Sequence, residues 1–138
     1  MNLIFRCKHI KFSDDITVKE PIIPVFLQGN KEKLPFTAVL DSGSDFVLLP
    51  IEVAEALELE FDKSNPEEAK VYSGETITTS YSWVNVTIKK GREQIVVKCR
   101  CAIQLEKNNQ HEHIIFGSTF FEHFRIHFDY QNNKFEVG

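Results

Sequence analysis

The chain has 138 residues, of which 42% are hydrophobic and 26% charged, and its net charge at pH 7 is −4. This length suits a single domain with its own core, and the composition is typical of a soluble globular protein. The negative charge and the lack of a basic tract argue against nucleic acid or a membrane surface as partner. No apolar run approaches the ~18 residues of a membrane-spanning helix.

The N-terminal residues 1–11 contain a short apolar patch that basic side chains soon interrupt, so we find no signal peptide there. We therefore expect a cytoplasmic protein with reduced thiols. The three cysteines are Cys7, Cys99 and Cys101. The close spacing of the last two lacks the usual zinc-binding knuckle, so we expect neither a metal nor another cofactor.

Most of the chain has the pattern of β-strands, and the 12 phenylalanines against one tryptophan favour a sheet-rich fold. Strands are predicted at 22–27, 34–40, 46–49, 69–72, 76–88, 94–105, 125–130 and 134–137, after one or two strands within residues 1–20. Short helices are predicted at 51–59 and 118–124. There is no repeat and no linker, so residues 1–138 are interpreted as one domain, with residues 1–20 as an N-terminal extension.

The most informative stretch delivers an aspartate, Asp41, from an apolar strand into the turn Ser42-Gly43-Ser44. A carboxylate at the end of a hydrophobic strand needs hydrogen-bond partners, because an unpaired buried charge is costly. The two serines offer hydroxyl donors, and Gly43 lets backbone N–H groups come close. Asp-Ser-Gly alone is common in ordinary turns, so the interpretation depends on a second match elsewhere in the chain.

The turn resembles the active-site loop of aspartic proteases, in which two hydrophobic residues precede Asp-Thr/Ser-Gly-Ala/Ser. A second stretch, residues 114–130, resembles the C-terminal signature of retropepsin-like aspartic proteases. There an apolar run ends at Gly117 and leads into a short helix, and the following strand ends at Asp129-Tyr130. A glycine-containing hairpin lies between the two stretches, and the resemblance covers roughly residues 20–138.

The resemblance implies an all-β, closed acid protease barrel with one or two short helices, assembled as a two-fold homodimer. It implies an aspartic endopeptidase that cleaves peptide or protein substrates with two Asp41 carboxylates, one per subunit. The other aspartates lack the hydrophobic-Asp-Ser-Gly context, so a second copy of the chain is needed. The N-terminal extension looks more like that of a free-standing cellular or microbial relative than of an enzyme excised from a viral polyprotein.

The same resemblance assigns roles within the loop. The Ser42 hydroxyl is expected to hydrogen-bond across the dimer axis, and Gly43 to lie where the backbone approaches the dyad and the substrate. Ser44 is expected to hydrogen-bond the outer oxygen of Asp41. The strand ending at Ile115 and Gly117 is expected to pass beside the loop and support it.

The resemblance also implies a flap, the hairpin that closes over the substrate, at residues 71–78. Its substrate-binding tip would consist of Tyr72, Ser73, Gly74 and Glu75. Retroviral flaps contain several glycines, whereas Gly74 is alone here. Near the loop, Phe46, Leu48 and Leu49 are candidates for pocket or core positions, and core is the preferred interpretation.

Two alternatives remain at this stage. The first is a retropepsin-like dimerisation or peptide-binding module with negligible hydrolysis, which the single-glycine flap would suit. The second is a monomeric β-barrel that binds a small ligand.

Overall fold

The computed structural model describes residues 2–70, 76–106 and 113–138, and these ranges contain mostly β-strands. The first strands are β1 (Leu3–Arg6), β2 (Lys8–Lys11), β3 (Thr17–Glu20), β4 (Ile22–Gln28), β5 (Leu34–Leu40) and β6 (Val47–Pro50). They are followed by β7 (Glu67–Lys70), β8 (Thr76–Lys90), β9 (Glu93–Gln104), β10 (Ile114–Phe116), β11 (Ile126–Asp129) and β12 (Lys134–Val137). The helices are α1 (Ile51–Ala56) and α2 (Ser118–Phe121).

Six strands close into a barrel in the order β4-β5-β10-β6-β9-β8, and β8 pairs back onto β4 at Phe26–Gln28. The pairs β5–β10 and β6–β9 are parallel, and the other barrel pairs are antiparallel. Strand β7 extends the sheet beyond β8. The predicted all-β closed barrel with two short helices is therefore confirmed, including the 22–27/34–40 hairpin.

The barrel core follows from the two-residue alternation of its long strands. On β8, Val84, Val86 and Ile88 are buried, and on β9 the two thiols of Cys99 and Cys101 face the same interior. Burial raises the pKa of both thiols to about 12, so they stay protonated at neutral pH and pack as small apolar groups. All three cysteines are free, as expected from the sequence.

The N-terminal region holds three strands rather than one or two. Strand β1 joins a three-stranded sheet in the order β1-β12-β11, whereas β2 and β3 form a separate hairpin. That hairpin turns at residues 13–15, where the backbone N–H of Phe12 donates to the carbonyl of Ile16. The sequence indicated a possible second strand in this region but not the division of the first into β1 and β2, because most side chains of β2 and β3 face solvent.

The helices are shorter than predicted. Helix α1 ends at Ala56 because Glu58 adopts a positive φ of 53°, which a right-handed helix cannot include. Helix α2 ends at Phe121, and the N–H groups of His123 and Phe124 then bond three residues back, in turns tighter than an α-helix. With six and four residues, the two helices of the described ranges fall far short of a membrane span.

Candidate active site

Asp41 follows directly from β5, a strand paired with β4 on one side and β10 on the other. The pairing continues past the strand, because the Asp41 N–H donates to the Phe116 carbonyl at 2.9 Å. Leu40 is buried while Asp41 is exposed in the single chain. The sheet therefore fixes the backbone of Asp41 and leaves its side chain at the surface.

The Asp41 carboxylate is oriented by its own turn. The Gly43 N–H donates to Oδ1 of Asp41 at 2.9 Å, and the Ser44 N–H donates to the Asp41 carbonyl at 3.1 Å. A Cβ added at Gly43 would lie 3.2 Å from Oδ1, so a larger residue would crowd this contact. One carboxylate oxygen is thus held by the backbone, and Oδ2 receives no hydrogen bond from the described residues.

The structure corrects the role expected of the Ser44 side chain. Its hydroxyl donates to the Phe46 carbonyl at 3.1 Å rather than to Asp41. The turn brings that carbonyl back over the loop, where it also accepts the Gly117 N–H at 3.1 Å. Ser42 is exposed in the single chain, so its expected bond across a dimer axis stays a prediction.

Strand β10 and the start of α2 pass beside the loop, as the sequence led us to expect. The Ser118 N–H donates to the Ser44 carbonyl at 2.9 Å, and the Thr119 N–H to the Asp45 carbonyl at 3.1 Å. A Cβ on Gly117 would overlap the Ser44 carbonyl and stand 2.8 Å from the Phe46 carbonyl oxygen. Glycine is therefore required for this close crossing.

Thr119 contributes a contact that sequence reasoning missed. Its hydroxyl accepts the Val47 N–H at 2.8 Å and donates to the Arg100 carbonyl at 2.7 Å. One side chain thus joins α2, β6 and β9 immediately behind the loop. No local pattern could have indicated it, because the three elements are distant in sequence.

A row of side chains runs from β5 across the sheet. Ile115 is paired with Val39 on one side and with Leu48 on the other, and Leu48 is paired with Ala102. Directly paired residues point to the same face of a sheet. Val39, Ile115 and Leu48 are partly exposed, and Ala102 is buried. Since Asp41 lies two residues beyond Val39, this apolar row lies on the side of the sheet from which Asp41 emerges.

Of the three candidates for pocket or core positions, one is buried and two are partly exposed. Leu49 is fully buried, so the core interpretation is correct for it. Leu48 and Phe46 are partly exposed, and the Phe46 ring packs against Tyr81 with 5.1 Å between centroids. Phe46 and Leu48 are therefore available at the edge of the site.

The predicted flap tip, Tyr72, Ser73, Gly74 and Glu75, lies outside the described residues. Its two arms are described. Strands β7 and β8 pair antiparallel, and the last pair before the tip joins Lys70 to Thr76. A hairpin requires two antiparallel paired strands, and β7 and β8 are paired in this way.

Titratable side chains elsewhere are engaged in local contacts. Asp62 and Asp129 accept hydrogen bonds from Ser64 and Asn132, which hold the pKa of each carboxyl below its usual value. Within the described ranges no group of three or more His, Cys, Asp or Glu residues is placed to hold a metal ion.

Comparisons with known proteins agree with this geometry. The sequence model of the aspartyl protease family matches residues 23–120, a stretch that includes both the Asp41 loop and Gly117. Among solved structures, a retropepsin-like aspartic protease from Rickettsia conorii superposes with a TM-score of 0.57 at 17% sequence identity, covering 99% of this chain and 89% of that one. At this identity the likeness bears on the fold. No curated protein matches the chain.

Proposed function

The chain belongs to the retropepsin-like aspartyl protease family, and we propose that it is a homodimeric aspartic endopeptidase with Asp41 as its catalytic residue. The observation that carries this proposal is the loop itself. Within the family match, Asp41 projects from a rigid turn with one carboxylate oxygen held by the Gly43 N–H. Protease activity in general follows from the family, and the dyad and the dimer are the proposal.

The dimer is proposed because one chain supplies one such loop. Peptide hydrolysis by this route needs two carboxylates close enough to share a proton. Asp62 and Asp129 are occupied by their own turns, as described above. Asp41 is exposed in the single chain, so its side chain is accessible to the Asp41 of a second copy.

In the proposed reaction a water molecule lies between the two Asp41 carboxylates, of which one is protonated. The ionised carboxylate takes a proton from the water as its oxygen attacks the scissile carbonyl carbon, and the protonated one donates to the carbonyl oxygen. The tetrahedral intermediate then breaks its C–N bond. The leaving nitrogen takes up the proton that the first carboxyl received from the water, and a hydroxyl of the intermediate returns a proton to the second carboxylate.

The substrate is proposed to be an extended peptide. The row of Val39, Ile115 and Leu48 offers an apolar wall beside Asp41, and residues 71–78 would close over the peptide as a flap. Amide hydrogen exchange tests the flap. Exchange at 72–75 should slow when a statine-type inhibitor binds, and unchanged exchange with the inhibitor bound would reject closure.

The first experiment is cleavage of casein from about pH 3 to pH 7, comparing the parent with Asp41→Asn. We expect cleavage by the parent, inhibition by a statine-type mimic of the tetrahedral intermediate, and loss of at least about 1000-fold in the variant. Asp15→Asn is the matched control, since it removes an exposed carboxylate in the β2–β3 turn and should keep full activity.

Sedimentation velocity on the same samples separates the alternatives. A dimer that cleaves nothing across this range would favour the peptide-binding module. A monomer at every concentration would reject both the dimeric endopeptidase and the dimeric peptide-binding module. The monomeric β-barrel that binds a small ligand would then remain. Full activity in Asp41→Asn would reject Asp41 as the catalytic residue.

A further inference from the structure

A groove of about 350 Å³ lies on the outer face of β8 and β9. One wall carries Trp83, Lys98 and Arg100, and the other consists of the β4–β5 turn and the segment after α1. We call it the Trp83 groove. Trp83 is half exposed and is the only tryptophan in the chain. Large exposed aromatic side chains in a groove are typical of contact surfaces rather than of ordinary exterior.

Two cations stack on the aromatic rings of this wall. The Arg100 guanidinium lies 5.2 Å from the Trp83 ring centre and 5.9 Å from that of Tyr81, and the Lys98 ammonium lies 5.4 Å from Trp83. Stacking orients the planar guanidinium and leaves its N–H edge free to donate. Neither cation forms a salt bridge with a carboxylate of the described residues.

The opposite wall is already rigid. A Cβ on Gly29 would lie 2.5 Å from the Leu57 carbonyl, so the turn packs directly against the exit of α1. The Asn30 side chain donates to the Glu58 carbonyl at 3.0 Å, and the Ser82 hydroxyl donates to the Glu60 carbonyl at 2.6 Å, which ties the two walls together. A ligand would therefore enter a preformed site, at a low ordering cost.

The charges lining the groove are two cations against one carboxylate, Glu60, whereas the whole chain carries a net charge of −4. This local excess favours an anionic ligand. The aromatic face also suits a chain with some apolar surface better than a bare inorganic anion.

The groove is linked to the Asp41 loop by direct contacts. Phe46, five residues after Asp41, packs on Tyr81, and Tyr81 packs under Arg100. A polypeptide leaving the apolar row beside Asp41 would reach the groove by following these side chains. We propose that the Trp83 groove binds an acidic segment of the protein substrate, outside the part of the chain that is cleaved. The substrate assignment rests on the proposed function, but binding of an acidic peptide can be measured without it.

The test uses full-length Asp41→Asn protein, so that nothing is cleaved. The probe is a dye-labelled blocked peptide of four glutamates and one alanine, and the comparison is the matching lysine peptide. Anisotropy of the dye gives Kd, and the emission of Trp83 reports whether the peptide lies in the groove. We expect the acidic peptide alone to bind and to shift the Trp83 emission, with affinity falling as salt is raised.

Variants assign the binding to the groove. Arg100→Gln should raise Kd about tenfold, since a charge-assisted hydrogen bond is lost, and Lys98→Gln about fivefold. Arg100→Lys should fall between parent and Arg100→Gln, because the charge remains and the planar stacking is lost. Glu60→Gln should tighten binding about twofold by removing repulsion.

Lys89→Gln is the matched control. It removes one positive charge from the same face of β8, six residues from Trp83 and so roughly 20 Å along the strand, and it should leave Kd unchanged. Absence of acidic-peptide binding, equal binding of the lysine peptide, or equal weakening by Lys89→Gln would each overturn the proposal.

Two outcomes separate this proposal from the proposed function. Cleavage of casein without acidic-peptide binding would reject the groove alone. Binding without cleavage would reject the endopeptidase alone. In the active enzyme, the acidic peptide should raise KM for casein and leave kcat unchanged. A KM that stays constant while the peptide is bound would reject the substrate assignment.

Discussion

The Thr119 hydroxyl joins three elements behind the Asp41 loop, and it does so by accepting one backbone hydrogen bond and donating another. Val47, whose N–H it accepts, is fully buried. Removing the hydroxyl takes an acceptor from the Val47 N–H and a donor from the Arg100 carbonyl, and a buried polar group left unpaired costs more than the net value of the bond. The Thr119 hydroxyl therefore stabilises the backbone behind the Asp41 loop through two hydrogen bonds.

We predict that Thr119→Val, which keeps the shape and loses the hydroxyl, lowers the free energy of unfolding by about 2 kcal/mol. Thr119→Ser keeps both hydrogen bonds and loses one methyl, so it should cost less than about 1 kcal/mol. Urea denaturation followed by circular dichroism measures both. Equal destabilisation by the two variants would show that packing, not hydrogen bonding, explains the effect.

At the residue level the sequence predicted the loop and not the contacts behind it. Asp41, Gly43 and Gly117 could be selected because each belongs to a local motif. Thr119 could not, since its partners lie on β6 and β9. The Ser44 prediction failed for a related reason, because its hydroxyl partner depends on where the turn places the Phe46 carbonyl.

At the level of elements, β12 is the centre of the terminal sheet, with β1 on one side and β11 on the other. Both edges of β12 are occupied by its own chain, so a second copy has no free edge of this strand to pair with. Phe135 on β12 is fully buried and stacks on Phe5 with 5.5 Å between ring centres. The strand belongs to the core of the single chain.

We predict that Phe135→Ala lowers the free energy of unfolding by about 3–4 kcal/mol, because it opens a cavity between β12 and β1. Glu136→Ala, on the opposite side of the same strand, should change it by less than about 1 kcal/mol. Thermal unfolding of the two variants beside the parent is the measurement. A stable Phe135→Ala protein with normal melting would show that the terminal sheet contributes little to stability.

Strands were easier to predict than their ends and their neighbours. The long strand β8 was recognisable because it is dense in β-branched and aromatic residues, and β9 because it follows the charged turn at the end of β8. Strand β7 was placed two residues late because its first residues, Glu67 and Glu68, are both exposed and give no alternation. Within residues 1–20 the possible second strand corresponds to β3, whereas the division of the first strand into β1 and β2 was missed for the same reason.

At the level of the whole molecule, a site divided between two copies has a measurable signature. We predict that mixing equal amounts of parent and Asp41→Asn, dissociated and allowed to reassociate, leaves about one quarter of the dimers with two Asp41 residues. Activity should fall to about that fraction. The same mixture made with Asp15→Asn should keep full activity. A fall to one half in the Asp41→Asn mixture would mean that each copy works alone.

The Asp41 turn is ordered within one chain. The Gly43 N–H binds the Asp41 carboxylate, the end of β10 accepts the Asp41 N–H, and N–H groups at the start of α2 bind the carbonyls of Ser44 and Asp45. Segments that fold only on association lose conformational entropy at that moment and slow the encounter. In the proposed dimer, the carboxylate-bearing turn would enter association already formed. The joining of two copies would then be docking between formed surfaces, with a rate set by orientation and charge rather than by folding.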